Sequence, residues 1–235
     1  MATFVLVHGA FHGGWCWQRL TPYLQAAGHV VYTPTLTGLG ERSHLLSPTI
    51  NLTCHIQDVI NLILYEDLDD VILVGHSYAG MVISGVADQC AARIARLVYL
   101  DAFVPENGET ALDQWLDRSW LKIPNMPSSP EGWYIPTPSP EAMGVTDAED
   151  AAWLAARMVP HPVKTQTEKL LLVNQAAEGI PRTYILCSVN SPEMGQALDR
   201  IKNHPLGQIL TLETGHDAMI TAPKEVAALL IGLAL

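Results

Sequence analysis

Val71-Ile72-Leu73-Val74-Gly75-His76-Ser77-Tyr78-Ala79-Gly80 decides the fold. Four apolar residues in an unbroken run read as a strand buried on both faces. They lead into Gly-x-Ser-x-Ala, and the residues from Ser77 to Cys90 read as a helix. A turn this tight from strand to helix strains the backbone of its central serine and requires small residues two positions to either side. Gly75 and Ala79 meet that demand, the methyl of Ala79 standing where a second glycine is usual. The turn lifts the Ser77 hydroxyl above the sheet and sets it at a helix N-terminus. There, backbone N–H groups and the helix dipole favour developing negative charge. A serine that merely caps a core helix needs neither the buried strand nor the small neighbours.

Outward from that turn, the first hundred residues alternate strand and helix. Phe4–Val7, Val30–Tyr32, Val71–Val74 and Leu97–Leu100 are short apolar runs. Between them, Trp15–Ala27 is helix-like with a bend or restart at Pro22, and Gly28 stops it. Ile56, Val59, Ile60, Ile63 and Leu64 fall on one helix face. This alternation predicts parallel βαβ units, an α/β class. The rhythm breaks where Pro124, Pro127, Pro130, Pro136, Pro138 and Pro140 crowd together. Helical pieces are expected at Thr110–Leu121, Ala148–Met158 and Lys164–Asn174, so residues 106–180 read as an inserted cap. Residues 1–105 and 181–235 form the core, with strands at Thr183–Leu186 and Gln208–Leu212 and helices at Glu193–Lys202 and Pro223–Leu233.

Composition excludes several classes. The 235 residues are 49% hydrophobic and 16% charged, so a full core can form and disorder is not expected. Thirteen Lys and Arg against 24 Asp and Glu give a net charge of −11, which opposes nucleic acid and anionic membrane partners. Cys16, Cys54, Cys90 and Cys187 form no CxxC and read as reduced core residues. The N-terminus reads as a strand rather than a signal peptide, and no apolar run is long enough to span a bilayer, so a cytoplasmic chain is expected. The sequon at Asn51-Leu52-Thr53 reads as a helix start.

Two further elements complete a chemistry. His8-Gly9-Ala10-Phe11-His12-Gly13-Gly14-Trp15 follows the first strand. A serine nucleophile needs N–H donors for its oxyanion, and Tyr78 and Ala10 are placed to give them. His8 and His12 as metal ligands four apart would need a helix, which these glycines oppose; no metal or organic cofactor is expected. His216, after the last strand and before the last helix, is where a general base can reach Ser77. His76, His55 and His204 fit less well. Phe11, Tyr78 and Met219 adjoin these residues and are candidates for the substrate pocket, as are some cap aromatics among Trp115, Trp120, Trp133, Tyr134 and Trp153.

HGAFHGGWCW at 8–17, GHSYAG at 75–80, LVYLDAFVP at 97–105 and GH at 215–216 resemble the α/β-hydrolase superfamily. More closely they resemble its plant methyl-salicylate and methyl-jasmonate esterases, hydroxynitrile lyases and bacterial esterase relatives. The resemblance implies a mostly parallel central sheet flanked by helices with a helical cap. It carries a serine and histidine over to Ser77 and His216. It also implies a cofactor-free ester hydrolase acting on a small-molecule ester with an apolar group, and a homodimer as the assembly to test. The acid departs from the pattern: the plant enzymes' aspartate falls on Asn190. Asp101, ending the strand after the nucleophile helix, is therefore expected to serve as the acid, with Asn190 second. Gly9 and Asp217 stand where the lyases carry threonine and lysine, which argues against that reaction. A catalytically silent receptor on the same scaffold is the other alternative.

Overall fold

The computed structural model describes residues 1–114, 132–189 and 195–234. Six strands form the main sheet: β1 Thr3–Val7, β2 Val30–Tyr32, β3 Val71–His76, β4 Ile94–Leu100, β7 Arg182–Cys187 and β8 Gly207–Leu212. All pair in parallel, in the order β2-β1-β3-β4-β7-β8. Side chains alternate between two cores, as period-two strands require. Val5, Val7, Val71, Leu73, Leu97 and Tyr99 enter one, while Phe4, Leu6, Ile72, Val74, Val98 and Leu100 enter the other.

Helices cover each face. On the first lie α2 (Leu52–Tyr65), through Ile56, Val59, Ile60 and Ile63, and α3 (Ala79–Cys90), through Met81, Val82, Ile83 and Val86. On the second lie α1 (Thr21–Ala26), α7 (Ala218–Thr221) and α8 (Pro223–Gly232). Pro22 and Pro223 both sit in first turns, where a missing N–H costs nothing. The helix-like stretch after Trp15 is split accordingly, a 3₁₀ turn at Gly14–Trp17 preceding α1. Asn51 caps α2, its side chain accepting the Cys54 N–H at 2.9 Å, so the sequon does open a helix. All four cysteines are free thiols. Among the described residues no helix is long and apolar enough to cross a membrane.

Among the described residues between β4 and β7, helix is shorter than the pattern suggests. Of the helix expected at Thr110–Leu121, the described part holds a 3₁₀ turn at Ala111–Gln114, and the rest, with Trp115 and Trp120, lies outside the described residues. Ala148–Met158 yields α4 (Ala148–Ala155), capped by Asp147. Lys164–Asn174 yields only α5 (Lys164–Thr167), because Glu168 turns away to bond Asn51 and Thr53 of the α2 start. Two short strands, β5 (Tyr134–Ile135) and β6 (His161–Pro162), pair antiparallel. The last helix before β8, α6, spans Gly195–Asn203.

The chain leaves β1 for β2 on one side, then crosses to β3 on the other. In parallel α/β sheets the crevice at such a reversal, outside the carboxyl ends of the strands, is where ligands bind. The loops after β1, β3 and β4 all open there.

Candidate active site

Ser77 adopts φ 55°, the left-handed region that β-carbon sterics disfavour. The turn around it is held on several sides. Its N–H donates to Leu100 O at 3.3 Å, and its carbonyl accepts from Phe103 N at 3.1 Å and Gly80 N at 3.1 Å. A β-carbon on Gly75 would meet the Ala79 carbonyl oxygen at 2.9 Å, so the small residue is required there. The loop after β1 presses on the same turn: a β-carbon on Gly9 would lie 2.8 Å from His76 Nδ1 and 3.0 Å from Ser77 Cβ. The Gly9 backbone thus lies against the Ser77 side chain, bringing the loop that carries Ala10 up to the turn, and Tyr78 is the N-cap of α3.

His216 and Asp101 meet in the core. His216 Nδ1 lies 2.6 Å from Asp101 Oδ2, both side chains almost fully buried. A carboxylate only accepts, so Nδ1 carries the proton and Nε2 is left as the basic nitrogen. Asp101 also occupies the left-handed region, at φ 44°, and its other oxygen accepts from Cys187 N at 3.2 Å. His216 is fixed from behind by its own carbonyl, which lies 3.0 Å from His76 Nε2, the two rings being 4.6 Å apart. Asn190, the other candidate partner, lies outside the described residues.

Phe11, at φ 68°, packs near the His161 ring at 5.6 Å, and its carbonyl accepts from Val159 N. Met219 is wholly buried in the core with Met143, Val145 and Ile220. Tyr78 is buried, its hydroxyl 3.1 Å from His55 Nδ1. A cavity of about 290 Å³ between α3, β4 and residues 172–178 contains none of these side chains. Its charges are already engaged: Arg182 with Glu178, and Asp88 with the Val173 and Asn174 N–H groups.

Two features were invisible in sequence. His12 and Asp217, 205 positions apart, form a buried ion pair, His12 Nε2 to Asp217 Oδ2 at 3.0 Å. Burial alone would lower His12 and raise Asp217, but their mutual attraction outweighs it, raising His12 and lowering Asp217. Beside them His8, His55 and His161 are buried with no carboxylate in contact among the described residues, and His76 has only Asp217 Oδ1 at 3.6 Å. Desolvation pushes His8 down to about 3, His55 to about 4, and His76 and His161 well below the ordinary histidine value.

These four make the fold acid-sensitive. Their folded pKa values lie below the unfolded value of 6.5, so below that pH the unfolded chain binds more protons and stability falls with pH. Each contributes up to about 1.4 kcal/mol per pH unit, and His12, shifted upward, acts in the opposite sense. The melting temperature should therefore drop by roughly 10 °C between about pH 7 and 5.5 in calorimetry. A flat profile over that window would mean these rings are not neutral and buried.

Donor atoms of His76, His216 and Asp217 lie within 4.8 Å of one another. One polar atom of each is committed elsewhere, His76 Nε2 to a carbonyl, His216 Nδ1 to Asp101 and Asp217 Oδ2 to His12, while His76 Nδ1 and Asp217 Oδ1 accept or donate no hydrogen bond. His76 Nδ1 is packed against Gly9. The group reads as a hydrogen-bonded network rather than a metal site.

A strained serine after a central parallel strand, with a buried His–Asp pair beside it, defines an α/β hydrolase. The chain belongs to that family, whose model matches residues 4–229. It is 40% identical over 241 residues to a carbendazim hydrolyzing esterase of Nocardioides sp. (strain SG-4G), covering 99% of this chain and all of that one. Methylesterase 3 of Arabidopsis thaliana is 29% identical, covering 98% of this chain and 95% of its own. Among solved structures, an extracellular α/β-hydrolase from a Paenibacillus species superposes with a TM-score of 0.87 at 26% identity, covering 99% of this chain and 98% of its own.

Proposed function

We propose that the protein is a serine carboxylesterase that hydrolyses a small-to-medium apolar ester through an acyl-enzyme on Ser77. The observation that carries this reading is the 2.6 Å His216–Asp101 contact behind the strained Ser77 turn. With Nδ1–H committed to Asp101, His216 Nε2 takes the Ser77 proton as Oγ attacks the ester carbonyl. The N–H groups of Ala10 and Tyr78 receive the negative charge on the carbonyl oxygen, the second reinforced by the α3 dipole. The protonated His216 then gives its proton to the leaving alkoxide. Water, deprotonated by the same nitrogen, cleaves the acyl-enzyme and regenerates Ser77.

Esterase relatives spanning the whole chain support this reaction class. Phe11, whose ring packs beside His161, and the cap aromatics Trp133 and Tyr134 are the apolar groups proposed to meet the acyl or alcohol group, whereas the Trp153 ring is already covered by Trp15, Arg19 and Arg157. The residue after His216 is a carboxylate paired with His12, not a cation that would hold a cyanide leaving group.

p-Nitrophenyl esters of increasing acyl length test the proposal. Turnover should be measurable and peak at short-to-medium chains. EDTA should leave it unchanged, because every step uses protein groups alone. Failure to hydrolyse any ester in the series, with cleavage of a cyanohydrin instead, would overturn the assignment. Loss of activity on chelation that a divalent ion restores would do the same.

A further inference from the structure

We propose that His12 and Asp217 form a charged strut that locks the oxyanion-side loop to the segment bearing His216, and that both are positioning residues for ester hydrolysis. The inference rests on the reading of Ser77, Ala10 and His216 given above and names what holds them in register.

The donor bookkeeping is forced by chemistry. His12 Nδ1 lies 2.6 Å from Ala10 O, and Nε2 lies 3.0 Å from Asp217 Oδ2. A carbonyl oxygen cannot donate, and an ionised carboxylate cannot either. Both ring nitrogens therefore carry protons, and the ring is an imidazolium facing a carboxylate. Charge-assisted bonds of this kind, away from water, are among the stiffest links between two chain segments.

What the strut joins matters more than its strength. One end grips the carbonyl of Ala10, the residue whose own N–H is assigned to the oxyanion. The preceding carbonyl, Gly9 O, is held by His8 Nδ1 at 2.8 Å, and His8 Nε2 accepts Leu36 N–H at 3.0 Å, which fixes the donor tautomer. A trans peptide points its N–H opposite its C=O, so His8 sets the direction of the Ala10 N–H and His12 sets the plane after it. This double grip matches the left-handed backbone at Phe11, which persists only where the surroundings over-determine it.

The other end is Asp217, the residue directly after His216. Its N–H donates to Met143 O at 3.1 Å, so the carboxylate is anchored at both backbone and side chain. His76 closes the circuit, its Nε2 lying 3.0 Å from His216 O and 3.6 Å from Asp217 Oδ1. The oxyanion loop and the histidine loop come from opposite ends of the chain. Their separation decides whether the serine, the base and the N–H donors act on one carbonyl.

The test uses the full-length enzyme and p-nitrophenyl esters, with active sites counted by the burst of p-nitrophenol from a p-nitrophenyl phosphonate. His12→Ala and Asp217→Ala should each lower kcat per titrated site by about 30- to 100-fold, the scale expected for a displacement near 1 Å, with KM changed less than about threefold. The double variant should be no more than about threefold worse than either single, because one strut is lost only once. Asp217→Asn should restore kcat to within about threefold of wild type. Its amide can donate to a neutral His12 that keeps its bond to Ala10, and it guards against poor folding of the alanine variants. Singles that keep more than a third of wild-type kcat per site would overturn the proposal, as would losses that multiply in the double variant. An Asn variant as impaired as the Ala variant would also overturn it. Wild-type enzyme that releases no burst would overturn the reading of Ser77 instead, and the strut with it.

Discussion

Replacing Ser77 by alanine should lower kcat for ester hydrolysis by about 10⁴- to 10⁶-fold while leaving the melting temperature within a few degrees of wild type. The size follows from the role. Without Oγ no acyl-enzyme forms, and water must attack an ester that is merely bound and polarised. The fold should survive because the strain at Ser77 belongs to the backbone. Alanine suffers the same φ of 55° as serine, and the three hydrogen bonds fixing the turn use main-chain atoms. KM should change little, since the hydroxyl contributes chiefly after binding. Retention of a tenth of wild-type kcat would remove Ser77 as nucleophile.

Asp101→Asn should be nearly as damaging, lowering kcat by about 10³- to 10⁴-fold. The amide fits the site: asparagine tolerates the left-handed backbone that Asp101 adopts at φ 44°, and its oxygen can still accept from Cys187 N. Its NH₂ group then faces His216 Nδ1. A donor there moves the ring proton to Nε2, so the nitrogen meant to take the Ser77 proton already carries one. The imidazolium also loses its counter-charge in a dry setting, where the Coulomb contribution is large. Stopped assays on purified protein, with melts run in parallel, read this directly. Asn190→Ala should cost at most about tenfold. A near-silent Asp101→Asn beside a dead Asn190→Ala would reassign the acid.

The parts of the molecule legible in its sequence are those governed by local demands. The Ser77 turn needs a buried strand, two small neighbours and a helix within ten residues, and all are contiguous. The parallel sheet was legible because Phe4–Val7, Val71–Val74 and Leu97–Leu100 are apolar on both faces, as helix-covered strands must be. Asp101 could be placed because a strand end is a local feature, and the sheet order carries it to His216.

The described residues between β4 and β7 resisted because their structure comes from distant partners. Lys164–Asn174 has a helical pattern, yet Glu168 leaves it to serve the N-terminus of α2, more than a hundred residues earlier. β5 and β6 are two residues each, too short for periodicity to register. In sequence alone His12 reads as no more than a rejected metal ligand, and Asp217 as a residue that is not lysine. Nothing local signals that they face each other, though each adjoins a candidate site residue, Phe11 and His216. Met219 is a pocket candidate by the same adjacency, and α7 buries its side chain among Met143, Val145 and Ile220.

The central claim is that Ser77 is the nucleophile, made so by His216. Incubation with a p-nitrophenyl phosphonate, followed by peptide mass mapping, tests it most directly, because the tetrahedral phosphorus traps the attacking oxygen for good. One adduct per chain is expected on the peptide containing Ser77, appearing at the rate at which esterase activity disappears, and none in a His216→Ala variant over the same interval. An enzyme that stays fully active under excess reagent, or an adduct that maps to any residue other than Ser77 as activity falls, would contradict it.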